Sequence, residues 1–150
     1  MTEGDAVGDT GFRYTEHTAD AGFVAWAPTL GGALEQAAKA LLGLVCDPVT
    51  VKPTEDFPID VSAEDEEELL YAFLAELLFM QDSHGVLLGG VEVRSVQRTA
   101  TGLRLRGRTL GEPYDPGRHV LVGGVKAPTY HKLAVRHRPG VVEVQAVVDV

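Results

Sequence analysis

The run LLYAFLAELLFMQD, from Leu69 to Asp82, constrains this chain more than any other stretch. A surface helix carries one apolar stripe, whereas a helix that is apolar on nearly every side has to be covered on both faces. Any fold for this sequence must therefore place structure on two sides of the segment. Its start is marked by Ser62 with Asp65, a capping-type pair, and by Glu66, Glu67 and Glu68, acids that suit the positive end of a helix dipole. Glu76 interrupts the middle of the run. A carboxylate there has to snorkel, pair or serve a site, because an unpaired buried charge is costly.

A second helix is read from Thr29 as cap and from Leu30, Ala33, Leu34, Ala37, Ala38, Leu41, Leu42 and Val45, spaced by three and four. Gly31 and Gly32 weaken its first turn by about 1 kcal/mol each relative to Ala, which predicts fraying at that end. Pro48 and Pro53 cannot continue it. The remainder reads as strands. Phe12, Tyr14 and Glu16 alternate, GFVAW (Gly22 to Trp26) is their partner, and HTAD between them is a turn or a crossing. FPIDV is a short strand. From Gly85 onward GVLLGG, VEVRSVQRT, GLRLRGRTLG, GGVKAPTYHKLAVRH and VVEVQAVVDV follow, with TATG as a hairpin, GEPYDPGRH as a longer turn-rich connection and RHRPG as the last turn. The expectation is an α+β fold, two helices packed on a mainly antiparallel β-sheet, in one domain over residues 11–150 behind a mobile tail at 1–10.

Composition narrows the function. Apolar content of 45% and charged content of 23% are those of a soluble globular protein. The single cysteine, Cys46, cannot form an internal disulfide, which suits a reducing cytoplasm. Neither a signal peptide nor a membrane-length apolar run is read, so a cytoplasmic location is expected. The formal charge of −9 opposes direct nucleic-acid binding, which needs a basic footprint. The arginines between Arg94 and Arg108 fall on alternating strand positions and read as a solvated face. An acidic protein that docks on a basic partner fits better.

Familiar catalytic signatures are missing: no GxGxxG, P-loop, HExxH, CxxC or GxSxG. The five histidines, His17, His84, His119, His131 and His137, show no metal-ligand spacing, and no nucleophile–base pair can be named. What remains is carboxylate chemistry. Asp149 and the carboxylate of Val150 are covalent neighbours, and Asp20 is an acid in a strand-like, apolar surrounding. On the residues alone two readings stand. Asp20 and Asp149 are a turn acid and a solvated terminal residue, or they share an oxygen site that calls for a proton, a lysine or a hard cation such as Ca²⁺ or Mg²⁺. Lys126 is likewise either a strand lysine in water or a cation that balances acids or meets phosphate.

YTEHTADAGFVAWAPTLGGALEQAAKALLGLVCD, LLYAFLAELLFMQD, GEPYDPGRHVLVGGVKAPTYHKL and the ending AVVDV together resemble the archease family from about Tyr14 to Val150. The resemblance rests on the order HTAD, AEL, GEP…H, VKA with TYH, and a terminal aspartate–aliphatic pair. It implies a small α+β protein that is not itself an enzyme. It implies a protein cofactor that helps an RtcB-type RNA ligase, in tRNA splicing and RNA repair, to form its covalent guanylate intermediate and to turn over repeatedly. It also implies a divalent metal, calcium above all with Mg²⁺ or Mn²⁺ as alternatives, held by Asp20, Asp149 and Val150, with Glu76 and Lys126 supporting ligase activation. A general chaperone, or a modulator of an RNA-modifying enzyme, is the alternative. The family carries an acid two residues before the VKA lysine, where this chain has Gly124.

Overall fold

The computed structural model describes residues 9–15 and 20–150. Glu16, most of the expected turn at HTAD and most of the expected tail lie outside the described residues.

Helix α2 (Glu66–His84) forms where the apolar run places it. The carboxylate of Asp65 accepts the Glu68 N–H at 2.8 Å, and Glu66, Glu67 and Glu68 fill the first turn. Gly85 ends the helix at φ 64°, ψ 34°, a left-handed conformation that glycine adopts without a Cβ clash. Asp65 caps alone. Ser62 instead belongs to β3 (Glu55–Ala63), whose pairing with β5 (Gly102–Pro113) continues to Ala63 opposite Leu103. The ladder therefore claims the backbone that a cap at Ser62 would need.

The strands divide between two antiparallel sheets. In the first, β1 (Gly11–Thr15), β2 (Asp20–Ala27), β8 (Val141–Asp149) and β6 (Ala127–Pro128) lie in that order, and β7 (Ala134–Arg138) also pairs with β8. In the second, β5 lies between β3 and β4 (Val86–Thr99). GVLLGG and VEVRSVQRT are thus one strand, bent by irregularities between Leu88 and Gly90 and between Val93 and Ser95. Both helices touch both sheets. Helix α1 (Leu30–Gly43) packs on β1, β2 and β8 and on β4, and α2 packs on β3, β4 and β5 and on β6 and β7. This arrangement is what an all-round apolar helix requires. Leu69, Leu70, Phe73, Leu74 and Leu77 are fully buried in it.

Helix α1 keeps its first turn packed where fraying was expected. The Thr29 hydroxyl accepts the Gly32 N–H at 3.0 Å. A Cβ on Gly32 would come within 2.9 Å of the Ala27 Cβ, and one on Gly31 within 3.2 Å of a Val93 methyl. The two glycines let the helix approach β2 and β4 closely, so their weak helix propensity is offset by tertiary contact. Cys46 is buried. On the outer face of the second sheet Arg104 pairs with Asp60 at 2.5 Å, and Arg108 with Asp56 at 2.8 Å and Glu92 at 3.0 Å, the solvated face the alternation predicts.

Candidate functional site

Strands β2 and β8 lie side by side at the middle of the first sheet, and their register decides where the acids go. Phe23, Ala25 and Ala27 face the core together with Val142, Val144, Ala146 and Val148. A slip of one residue would turn this whole set to the opposite face. The apolar pattern therefore locks the pairing Ala21↔Val148 through Ala27↔Val142, and the same ladder sets Asp20 directly opposite Asp149. Directly opposed residues project to one side of a sheet with Cβ atoms roughly 4.5–5.5 Å apart. Val150 follows Asp149 and lies at the same end.

On the other side of Asp149 stands Ala127. The Lys126 N–H donates to the Asp149 carbonyl at 2.8 Å, and the Thr129 N–H and hydroxyl donate to the Val147 carbonyl at 3.0 and 2.8 Å. Asp20, Asp149, Val150 and Lys126 thus meet at one end of the first sheet. Asp20 is half-buried; Asp149, Val150 and Lys126 are exposed. Among the described residues the side chains of Asp20, Asp149 and Lys126 make no hydrogen bond or ion pair. Glu76 does not share this register. It is half-buried on α2, the helix that packs against β6, and it too has no side-chain partner among the described residues. No three histidine, cysteine, aspartate or glutamate side chains converge as metal ligands among the described residues. The anionic side chains that the register brings together are Asp20 and Asp149. The donor set is all oxygen and anionic, which fits a hard divalent cation.

A second cluster went unread in the sequence. Glu112, near the end of β5, is 6% exposed and His119 is 4% exposed. The Glu112 carboxylate accepts from the Arg118 guanidinium, from the Lys52 N–H at 2.7 Å and from His119 Nε2 at 2.9 Å. The Asp115 N–H donates to His119 Nδ1 at 2.9 Å, so the ring proton sits on Nε2 and points at Glu112. The Arg118 side chain first, then the Lys52 N–H and His119, hold the Glu112 carboxyl down to about 2 against the opposing pull of burial. Sequence reasoning took GEPYDPGRH for a turn-rich connection. The signal that could have found the cluster is a glutamate followed six and seven residues later by arginine and histidine in a loop otherwise poor in apolar side chains.

The geometry defines a small α+β protein whose candidate site is assembled by β2 and β8, strands from near its two ends. The chain belongs to the archease family: the model of the archease protein family (MTH1598/TM1083) matches residues 12–150. It is 41% identical over 134 residues to the protein archease of Methanopyrus kandleri, covering 89% of this chain and 95% of that one. It is 38% identical over 128 residues to the protein archease of Thermococcus gammatolerans, covering 85% and 89%. The solution structure of protein 1598 of Methanobacterium thermoautotrophicum superposes with a TM-score of 0.80 at 30% identity, covering 93% of this chain and 99% of that one. The crystal structure of an archease described as a possible chaperone, from Thermotoga maritima, shares the fold at a TM-score of 0.60 and 20% identity, covering 92% and 96%. Among the described residues no helix is long and apolar enough to cross a membrane.

Proposed function

We propose that this protein is the cofactor of an RtcB-type RNA ligase in tRNA splicing and RNA repair, promoting ligase guanylylation and repeated turnover in the cytoplasm. The observation that supports this most is the placement of Asp20 opposite Asp149 with no cationic side chain paired to either among the described residues. Two carboxylates held side by side call for a counter-charge. Asp20, Asp149 and the Val150 carboxylate would hold a divalent ion, Ca²⁺ in the first instance and Mg²⁺ or Mn²⁺ as alternatives. When bound, such an ion supplies charge neutralisation for phosphate oxygens. Lys126, next to Asp149, offers a point positive charge to the phosphates of GTP, and Glu76 supports activation from the neighbouring helix. The chain supplies no nucleophile–base pair of its own, so it acts as an adaptor and not as the catalyst. A formal charge of −9 suits docking on a basic ligase and speeds the encounter.

The test mixes the protein with an RtcB-type ligase, GTP and a divalent metal and follows the covalent guanylate on the ligase. The intact chain stimulates the reaction and an Asp20→Ala variant does not. Equal stimulation by the variant would sink the proposal. Val120 and Val122, 77% and 69% exposed, give the alternative of a general chaperone its structural footing. Protection of aggregating clients that is indifferent to Asp149 would select that alternative.

A further inference from the structure

We infer that Glu112, Arg118 and His119 are positioning residues that fix the loop from His119 to Lys126, and with it the place of Lys126 beside the acidic tip. This inference rests on the ligase-cofactor reading.

The near part of the loop needs an external anchor because its own side chains do not hold it. Val120, Leu121 and Val122 are 77%, 48% and 69% exposed, whereas Val125, toward the far end, packs against the core. Backbone contacts fasten its middle and its far end. The Val122 N–H donates to the Val45 carbonyl at 2.8 Å and the Lys126 N–H to the Asp149 carbonyl at 2.8 Å, while Leu121 bridges Cys46. Its near end is fastened by the polar cluster. The turn closes on itself through the Arg118 and His119 N–H groups, which donate to the Asp115 carbonyl at 3.0 and 2.8 Å. His119 then carries the turn onto Glu112, at the carboxylate oxygen Oε2 that also accepts the Lys52 N–H.

A purely structural stitch at this point would be cheaper in apolar residues, because a buried charged network bears a desolvation cost that packing of equal volume avoids. What such a network adds is a single geometry: the fork of an arginine and the one N–H of an imidazole meet a carboxylate in few ways. Six residues separate His119 from Lys126 in the sequence. With the near end free, the segment would slide along Val45 and Cys46 and load the Lys126–Asp149 backbone bond, loosening the place of the lysine. Fixing it in advance removes that ordering cost from the docking step.

The test combines a double-mutant cycle with hydrogen exchange. His119→Ala removes the donor to Glu112, and His119→Gln restores an N–H donor. In His119→Ala the amides of Val122 and Lys126 exchange at least about tenfold faster while those of β2 and β8 keep their rates. Maximal ligase guanylylation at saturating protein falls about as far as in Lys126→Ala, and His119→Gln recovers both readouts in part. The loss caused by His119→Ala disappears in a Lys126→Ala background, since the two act through one group. Effects that multiply independently would overturn the inference, as would unchanged exchange at Val122 and Lys126, or uniform acceleration across the whole chain. A wild-type chain that fails to stimulate the ligase counts against the ligase reading itself, which separates the two failures.

Discussion

Replacing Asp20 with asparagine should make the metal-free protein more stable and the metal-bound protein less so. The register opposes two carboxylates on adjacent strands, and like charges directly across a sheet cost about 0.2–1 kcal/mol. Coulomb's law agrees: two unit charges about 5 Å apart in water-like surroundings repel by roughly 0.8 kcal/mol. Asparagine keeps the shape and both backbone groups in the ladder and removes one charge, so about 0.5–1 kcal/mol is regained. For a chain of this size that corresponds to a rise in Tm of about 1–4 °C in chelator. A divalent ion at about a hundred times its Kd stabilises the folded wild type by about 2.7 kcal/mol, or about 5–10 °C, and the variant hardly at all.

The order of stability therefore inverts between chelator and saturating metal. Thermal denaturation of both proteins in the two conditions reads it directly. Raising the salt to about 1 M shortens the screening length to about 3 Å and should shrink the gain in chelator. A variant that is less stable than wild type in chelator, or that gains as much from metal, would refute the idea that these acids oppose each other and share an ion.

The remaining expectations concern the rest of the site and its supports. Gly124 has nothing within 4 Å of where a Cβ would stand, so Gly124→Glu should leave the unfolding free energy within about 1 kcal/mol of wild type and, by supplying the acid that the family resemblance implies there, tighten divalent binding in calorimetry. Extending the chain past Val150 converts its carboxylate to an amide, and calorimetry should show weaker metal binding; unchanged affinity removes Val150 from the site. The Glu112 carboxyl titrates at about 2 in the folded protein, below its ordinary 4.5, so its contribution to stability is complete above about pH 5 and is lost as pH falls through 2. Glu112→Gln should accordingly cost stability at neutral pH and show a shallower acid limb, and a wild-type acid limb in the variant would contradict the assignment. Phe73, fully buried in α2 between the sheets, should cost about 3–5 kcal/mol as Phe73→Ala in denaturant unfolding.

What could be read in the sequence follows from how far each signal reaches. The two helices, most strand runs and the exposed arginine ladder are set by residues three, four or two apart and lie where their patterns put them. The first helix, however, stops at Gly43, short of Val45. GGVKAPTYHKLAVRH, read as one strand, forms only Ala127–Pro128 and the start of Ala134–Arg138, with Pro128 and the turn at Tyr130 to Leu133 breaking the run. Even the need for cover on both sides of α2 was legible, because it is a property of one segment. Which sheet a strand joins was not, since a period of two tells which face is inward and nothing about the neighbour. The acidic site depends on that missing knowledge. Asp20 and Asp149 are 129 residues apart in the sequence, and no local rule joins them; the family resemblance supplied the link that periodicity could not. Yet once β2 and β8 are neighbours, the apolar sets on each strand exclude every slip by an odd number of residues. In the observed register the acids are carried into opposition by valines and alanines that have no chemistry of their own. The Glu112–Arg118–His119 cluster escaped for the converse reason. Its members are close in sequence, but their meaning lies in the Lys52 backbone and the burial around them, which only the folded chain reveals. The core thus fixes the two acids through apolar register, while the lysine beside them, on the inference drawn above, depends on a polar anchor at the far end of its loop, so variants at the two places should act independently.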